Sequence, residues 1–217
     1  CAIFGIAFFI LFALFSPRVQ ANAYEAELPA GLASATDMCA LLPCTEVFPG
    51  ATHFSERKGQ PPYVEAYDKA GADKKLLGYV MLSTDITDTP AYSGKPVVTL
   101  IGMDTKGIFV GVKVLKHSEP ILLLGIPESA LLNFNAQYLG KSVADKIEVG
   151  QSRPDEEVLG LDAISGATVT VIAQNQVMMA SGSAVARQVG ILAPTVRDPA
   201  RYVVTGKRWG WAELVKQ

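Results

Sequence analysis

Two apolar runs separated by four residues constrain this chain more than any other feature. Val97 to Met103 (VVTLIGM) and Ile108 to Leu115 (IFVGVKVL) have the length and β-branched content of strands. Asp104-Thr105-Lys106-Gly107 between them has the residues of a tight turn, with Gly107 free to take a positive φ. The pair reads as a hairpin whose second strand alternates, with Val110, Val112 and Val114 on one face. Upstream, Tyr63 to Tyr67 alternates and Leu76 to Ser83 (LLGYVMLS) is apolar throughout, so both read as further strands. Residues 24–50 read as a short helix and a loop, and the polar stretches 51–62 (with His53) and 84–95 as loops. Ile121 to Gly125 reads as an apolar loop or short strand. Pro127-Glu128-Ser129 then opens an amphipathic helix to about Leu139, with proline in its first turn. Residues 140–160 look irregular and charged, and Val169 to about Val189 fits one long helix that packs Met178 and Met179. Meandering strands with separate helices predict an α+β domain: an antiparallel sheet with a hairpin plus packed helices, not a doubly wound parallel sheet.

The chain has 217 residues, a net charge of -2 and three cysteines. Without a basic face it is not expected to bind nucleic acid. Ala2 to Phe15 is almost wholly apolar, shorter than the roughly 20 residues of a membrane span, and Ser16-Pro17-Arg18 breaks it before Ala21-Asn22-Ala23. That is the pattern of a signal peptide cut after Ala23, or of a retained membrane anchor; either way the body of the protein is exported. The resulting division is 1–23 as signal peptide or anchor, 24–195 as one domain, and 196–217 as a C-terminal tail. Trp209 and Trp211 in that tail either pack on the domain or anchor at a membrane interface. Cys39 and Cys44 form a short-range disulfide or stay as two buried thiols. No metal site is expected: their spacing, with no nearby His or second Cys pair, does not make a tetrahedral set, and an iron–sulfur cluster needs about four thiolates.

Chemistry concentrates in Asp162-Ala163-Ile164-Ser165-Gly166-Ala167-Thr168, just ahead of the long helix. Gly166 permits a tight turn or a close backbone approach to a ligand. Thr168 falls at or near the helix N-cap, where free N–H groups and the helix dipole favour a phosphate. On these residues alone, an ordinary threonine cap is the better explanation of the pattern. No Ser-His-Asp pattern or metal-ligand spacing marks a hydrolase.

The longer run Asp-x-x-Ser-Gly-Ala-Thr resembles the flavinylation motif of the FMN-binding domains of sodium-pumping NADH:quinone oxidoreductase, Rnf complexes and the NosR/NirI family. In those proteins a flavin transferase joins FMN through its phosphate to the last threonine. The resemblance implies a phosphoester at Thr168, with Asp162, Ser165, Gly166 and Ala167 serving transferase recognition and the turn. A second stretch agrees. Ala91-Tyr92-Ser93-Gly94-Lys95-Pro96 precedes the hairpin, and the hairpin ends at His117-x-Glu119, as an aromatic-Gly-Pro segment and a His-x-Glu element do in those domains. This places Tyr92, Ser93, Gly94, Lys95, His117 and Glu119 near the flavin, with Lys95 near its phosphate or N1–C2 edge. The sequence departs from the transporters' domains after Glu119, where Pro120-Ile121-Leu122-Leu123-Leu124 replaces Thr-Pro-Gly-Leu-Gly. Those leucines are core by default, or an apolar wall for a ring system, and Leu124 is counted in the pocket. The wording over most of residues 37–192 is closest to the NosR/NirI family, membrane flavoproteins associated with nitrous oxide respiration. The resemblance implies a periplasmic domain of an inner-membrane protein whose remaining part holds transmembrane helices and iron–sulfur modules. It also implies an electron-transfer module with covalent FMN, rather than a stand-alone enzyme, linking the quinone pool or iron–sulfur modules to the nitrous oxide reductase system. The competing class is a regulatory or assembly module for that reductase, in expression or copper-site maturation, with the flavin unused in turnover.

Overall fold

The computed structural model describes residues 23–194; the apolar run, the tail 196–217 and both tryptophans lie outside the described residues. A short helix α1 (Cys44–Val47) precedes five strands: β1 (His53–Phe54), β2 (Val64–Tyr67), β3 (Leu76–Leu82), β4 (Val98–Asp104) and β5 (Phe109–Lys116). They form one antiparallel sheet in sequence order. Next come α2 (Glu128–Ala136), the parallel pair β6 (Lys146–Val149) and β7 (Val158–Leu161), and α3 (Thr168–Gln188). The α+β architecture expected from the sequence is the one formed. Among the described residues no helix is long and apolar enough to cross a membrane.

The two-residue period of β3 and β4 sorts their side chains to opposite faces. Tyr79, Met81, Ile101 and Met103 face α2, α3 and the parallel pair, whereas Val80, Leu82, Val98 and Leu100 face the N-terminal segment. Both faces are covered, which explains why LLGYVMLS is apolar throughout instead of alternating. On the N-terminal side α1 lies directly on the strands: a Cβ at Gly102 or Gly111 would overlap the Val47 backbone. The Cys39–Cys44 disulfide closes this cap. Arg57 donates to the carbonyls of Leu32 and Ala35 at 2.7 and 3.1 Å and pairs with Asp85 at 2.8 Å. On the other side Phe109, Phe134 and Tyr138 meet edge to face, at 5.9 and 6.0 Å between centroids. Gly182 of α3 sits against Phe109 and Val143, so Ser181-Gly182-Ser183 continues the helix and lets it approach the sheet.

Several local expectations change. Val110 does not share a face with Val112 and Val114. It is the extra residue of a bulge between the pairs Gly102↔Gly111 and Met103↔Phe109 and is 36% exposed, so Phe109 and Val112 both turn to the helix side. Residues 51–62 are not all loop, because His53 and Phe54 pair with Tyr67 and Ala66 as an edge strand. Pro127 is the N-cap of α2 and not a first-turn residue, and the helix stops at Ala136. The charged stretch 140–160 holds β6 and the start of β7, each too short to give a readable period. Ile121 to Gly125 is neither loop nor strand: Pro120–Leu124 is a 3-10 turn, and of the two roles open for its leucines, Leu123 and Leu124 (76% and 72% exposed) do not take the core one.

Candidate functional site

The N-terminus of α3 meets two other segments at one end of the sheet. Gly166 takes φ +81°, which turns the chain from β7 into the helix at a position a side chain would strain. Ala167 is the N-cap and Thr168 the first helical residue. No side chain caps this end, so the first-turn amides are left without the usual intrahelical or capping partner. Thr168 and Val169 are exposed, whereas Thr170 is fully buried. Around them opens a cleft of about 260 Å³ lined by Tyr92, Pro120, Ile121, Leu124, Gly166, Ala167, Thr168, Val169 and Thr170. Its walls are mostly apolar, and Tyr92 is 65% exposed at its edge.

Behind the cleft lies a buried polar network. Glu119 is fully buried. It accepts from the backbone amides of Tyr92 and Ser93 at 3.2 and 2.9 Å and from the hydroxyl of Thr170. The Glu119 amide donates to His117 Nδ1 at 3.3 Å, which assigns the imidazole proton to Nε2. That nitrogen stands 3.4 Å from Glu128 Oε1, close enough for electrostatic attraction though not aligned as a hydrogen bond. Glu128 also accepts from the Ala23 amide at 2.7 Å, and the Ala23 carbonyl accepts from the His117 amide at 2.9 Å. The His-x-Glu element thus holds the walls together from within.

Of the residues singled out in the sequence, Tyr92, Leu124, Gly166, Ala167 and Thr168 converge on the cleft. Glu119 supports it from behind, and His117 supports Glu119. Ser93 and Gly94 shape the turn beside it, where the Gly94 amide donates to Ala91 O at 3.0 Å. Lys95 does not line the cleft; its Nζ lies 3.5 Å from Ser118 Oγ. Ser165 is exposed and does not line it either. Asp162 borders a neighbouring hollow of about 280 Å³ with Asn133 of α2 and Gln137, the C-cap of that helix. Gln137 holds both backbone groups of Asp162, accepting from its amide at 2.7 Å and donating to its carbonyl at 3.2 Å. Sequence reading missed Gln137, Pro120, Ile121, Val169 and Thr170. Only Thr170 carried a signal, as a second threonine one residue beyond Val169; nothing local announced its burial.

Residues 92–180 match the family of FMN-binding domains. The chain is 37% identical over 147 residues to the regulatory protein NosR of Pseudomonas aeruginosa, a match covering 68% of this chain and 20% of that protein. To the regulatory protein NosR of Stutzerimonas stutzeri it is 42% identical over 118 residues, 54% of this chain and 16% of the relative. To the protein NirI of Paracoccus denitrificans it is 30% identical over 98 residues, 45% of this chain and 13% of the relative. These matches span a fifth or less of the relatives' length.

Proposed function

The chain carries an FMN-binding domain of the NosR/NirI family, and we propose that FMN is fixed to it through a phosphoester on Thr168 and serves as an electron carrier. The observation behind this reading is the position of Thr168: an exposed hydroxyl on the first residue of an uncapped 21-residue helix, lining an apolar cleft. The residues fit the group. The open first-turn amides and the helix dipole suit a phosphate. Exposed Tyr92, Leu124 and Val169, with buried Ile121 behind them, offer the surface an isoalloxazine needs, and an exposed apolar cluster of this kind is normally covered by a partner or ligand.

A hydroxyl and a phosphate monoester do not condense in water, so the flavin donor is a pyrophosphate-activated flavin dinucleotide, used by a flavin transferase. Thr168 Oγ1 bonds to the flavin-side phosphorus and loses its proton, the pyrophosphate P–O bond breaks, and a nucleoside monophosphate leaves. When bound, the flavin supplies one- and two-electron redox chemistry. The work of the chain itself is attachment by Thr168, exclusion of water by the apolar walls, and the fixing of those walls by Glu119.

The domain then acts in nitrous oxide respiration, passing electrons between the quinone pool or iron–sulfur modules of a longer membrane protein and the nitrous oxide reductase system. It works on the periplasmic side of the inner membrane. The Cys39–Cys44 disulfide supports an oxidising compartment. Both NosR relatives are called regulatory proteins, and this favours a second reading, in which the domain supports expression or maturation of the reductase without turnover at the flavin.

The test uses the full-length protein made together with a flavin transferase, denatured and run on a gel. Flavin fluorescence stays with wild type and disappears in Thr168→Val; a dark wild-type band would sink covalent attachment. Nitrous oxide reduction is lost in cells carrying Thr168→Val if the flavin carries electrons, and is unchanged if the regulatory reading holds.

A further inference from the structure

We propose that Thr170 and Glu119 form a positioning pair that presents Thr168 for flavin attachment, a role that rests on Thr168 being the acceptor. Successive helical residues are about 100° apart, so residues two apart lie on nearly opposite faces. Burying Thr170 at the third helical position therefore turns Thr168 outward. The bond from the Thr170 hydroxyl to the Glu119 carboxylate, both fully buried, locks that rotational setting.

The same carboxylate takes the amides of Tyr92 and Ser93. One side chain thus joins all three segments around the cleft: the 91–95 turn, the 119–124 segment and the first turn of α3. Two further consequences follow. Helices are usually secured at this end by an N-cap side chain that consumes first-turn amides. Here the restraint comes from inside the domain, and those amides stay available to the incoming phosphate. Adjacent backbone amides are themselves a ready anion site. With Tyr92 and Ser93 already bonded to Glu119, the helix terminus beside Thr168 is the place left for the phosphate. Thr170, only two residues away, is excluded as an acceptor because its hydroxyl is buried and already donated.

The experiment follows attachment over time in the full-length protein supplied with transferase and flavin adenine dinucleotide. Thr170→Val, which keeps the side-chain shape, slows flavin incorporation about tenfold or more, and Thr170→Ser restores it to near the wild-type rate. Glu119→Gln also slows it. In flavin-free protein, Thr170→Val speeds hydrogen exchange in residues 165–171 and leaves the β4 and β5 amides unchanged. Wild-type loading rates in Thr170→Val overturn the pair. So does an exchange increase spread through β4 and β5, which marks a general loss of stability. A wild-type protein that never retains flavin overturns the attachment reading and the pair with it; normal wild-type loading alongside an unaffected Thr170→Val overturns the pair alone.

Discussion

The N-terminal cap sits on the sheet through backbone contact at Gly102 and Gly111, around an apolar cluster that includes Leu32, Met38, Phe48 and Val64. The helix side buries Thr99, Asn135, Thr170, Gln174 and Ser181 together with Glu119 and His117. Gln174 Nε2 donates to Thr99 Oγ1 at 3.0 Å and to Asn135 Oδ1 at 2.6 Å, joining α3 to β4 and α2. Apolar packing contributes stability but tolerates some sliding, whereas buried polar groups cost free energy unless their partners stand at fixed distances and angles. The face next to the cleft holds most of these position-fixing polar groups, whereas the opposite face is mainly apolar, with the Arg57–Asp85 pair and the Arg57 bonds to the Leu32 and Ala35 carbonyls as its polar anchor.

This contrast predicts that the two faces fail differently. Gly111→Ala drives a methyl into the Val47 backbone. It costs about 3 kcal/mol in denaturant unfolding, while the molecules that remain folded take up flavin normally; a selective loss of flavin would break the contrast. Gln174→Leu leaves Thr99 and Asn135 without their shared partner and costs about 2 kcal/mol, and it also slows flavin attachment, since its helix carries Thr168. Replacing Cys39 and Cys44 by Ser costs about 2 kcal/mol by the loop-entropy argument for so short a ring, with attachment unchanged.

The smallest effect is set by pH. The hydrogen bond to Glu65 and burial push the Tyr67 phenol up to about 12, and burial also raises Tyr138. In the unfolded chain both ionise near pH 10. Their stabilisation is therefore complete below pH 10 and declines as pH rises towards the folded values. The melting temperature should fall above pH 10, and less steeply in Tyr67→Phe; equal slopes would show that Tyr67 is not among the groups responsible.

The sequence by itself determined the central strands, the long helix and the threonine at its start. Strands of seven or eight residues and a 21-residue helix carry enough repeats for their period to show, and Gly107 and Gly166 mark turns through conformations that other side chains resist. The helix start at the motif was legible because a helix N-terminus is a local structure, whereas the motif's chemistry was legible only through its resemblance to a family's flavinylation motif. Tertiary structure decided what distant contacts decide. β1, β6 and β7 have two to four residues and exist only through pairing. The bulge at Val110 comes from register with β4, not from any breaker in its own strand. The open cysteine question is settled as a disulfide in the folded chain. The sequence left Leu124 open between core and pocket wall; it is exposed at the cleft because the 3-10 turn at Pro120 carries it away from the sheet. The motif singles out Thr168, but nothing in the sequence says that Thr170, the same residue type two positions on, is buried. A carboxylate 51 residues earlier in the chain buries one hydroxyl and leaves the other facing solvent; only the folded chain brings it there.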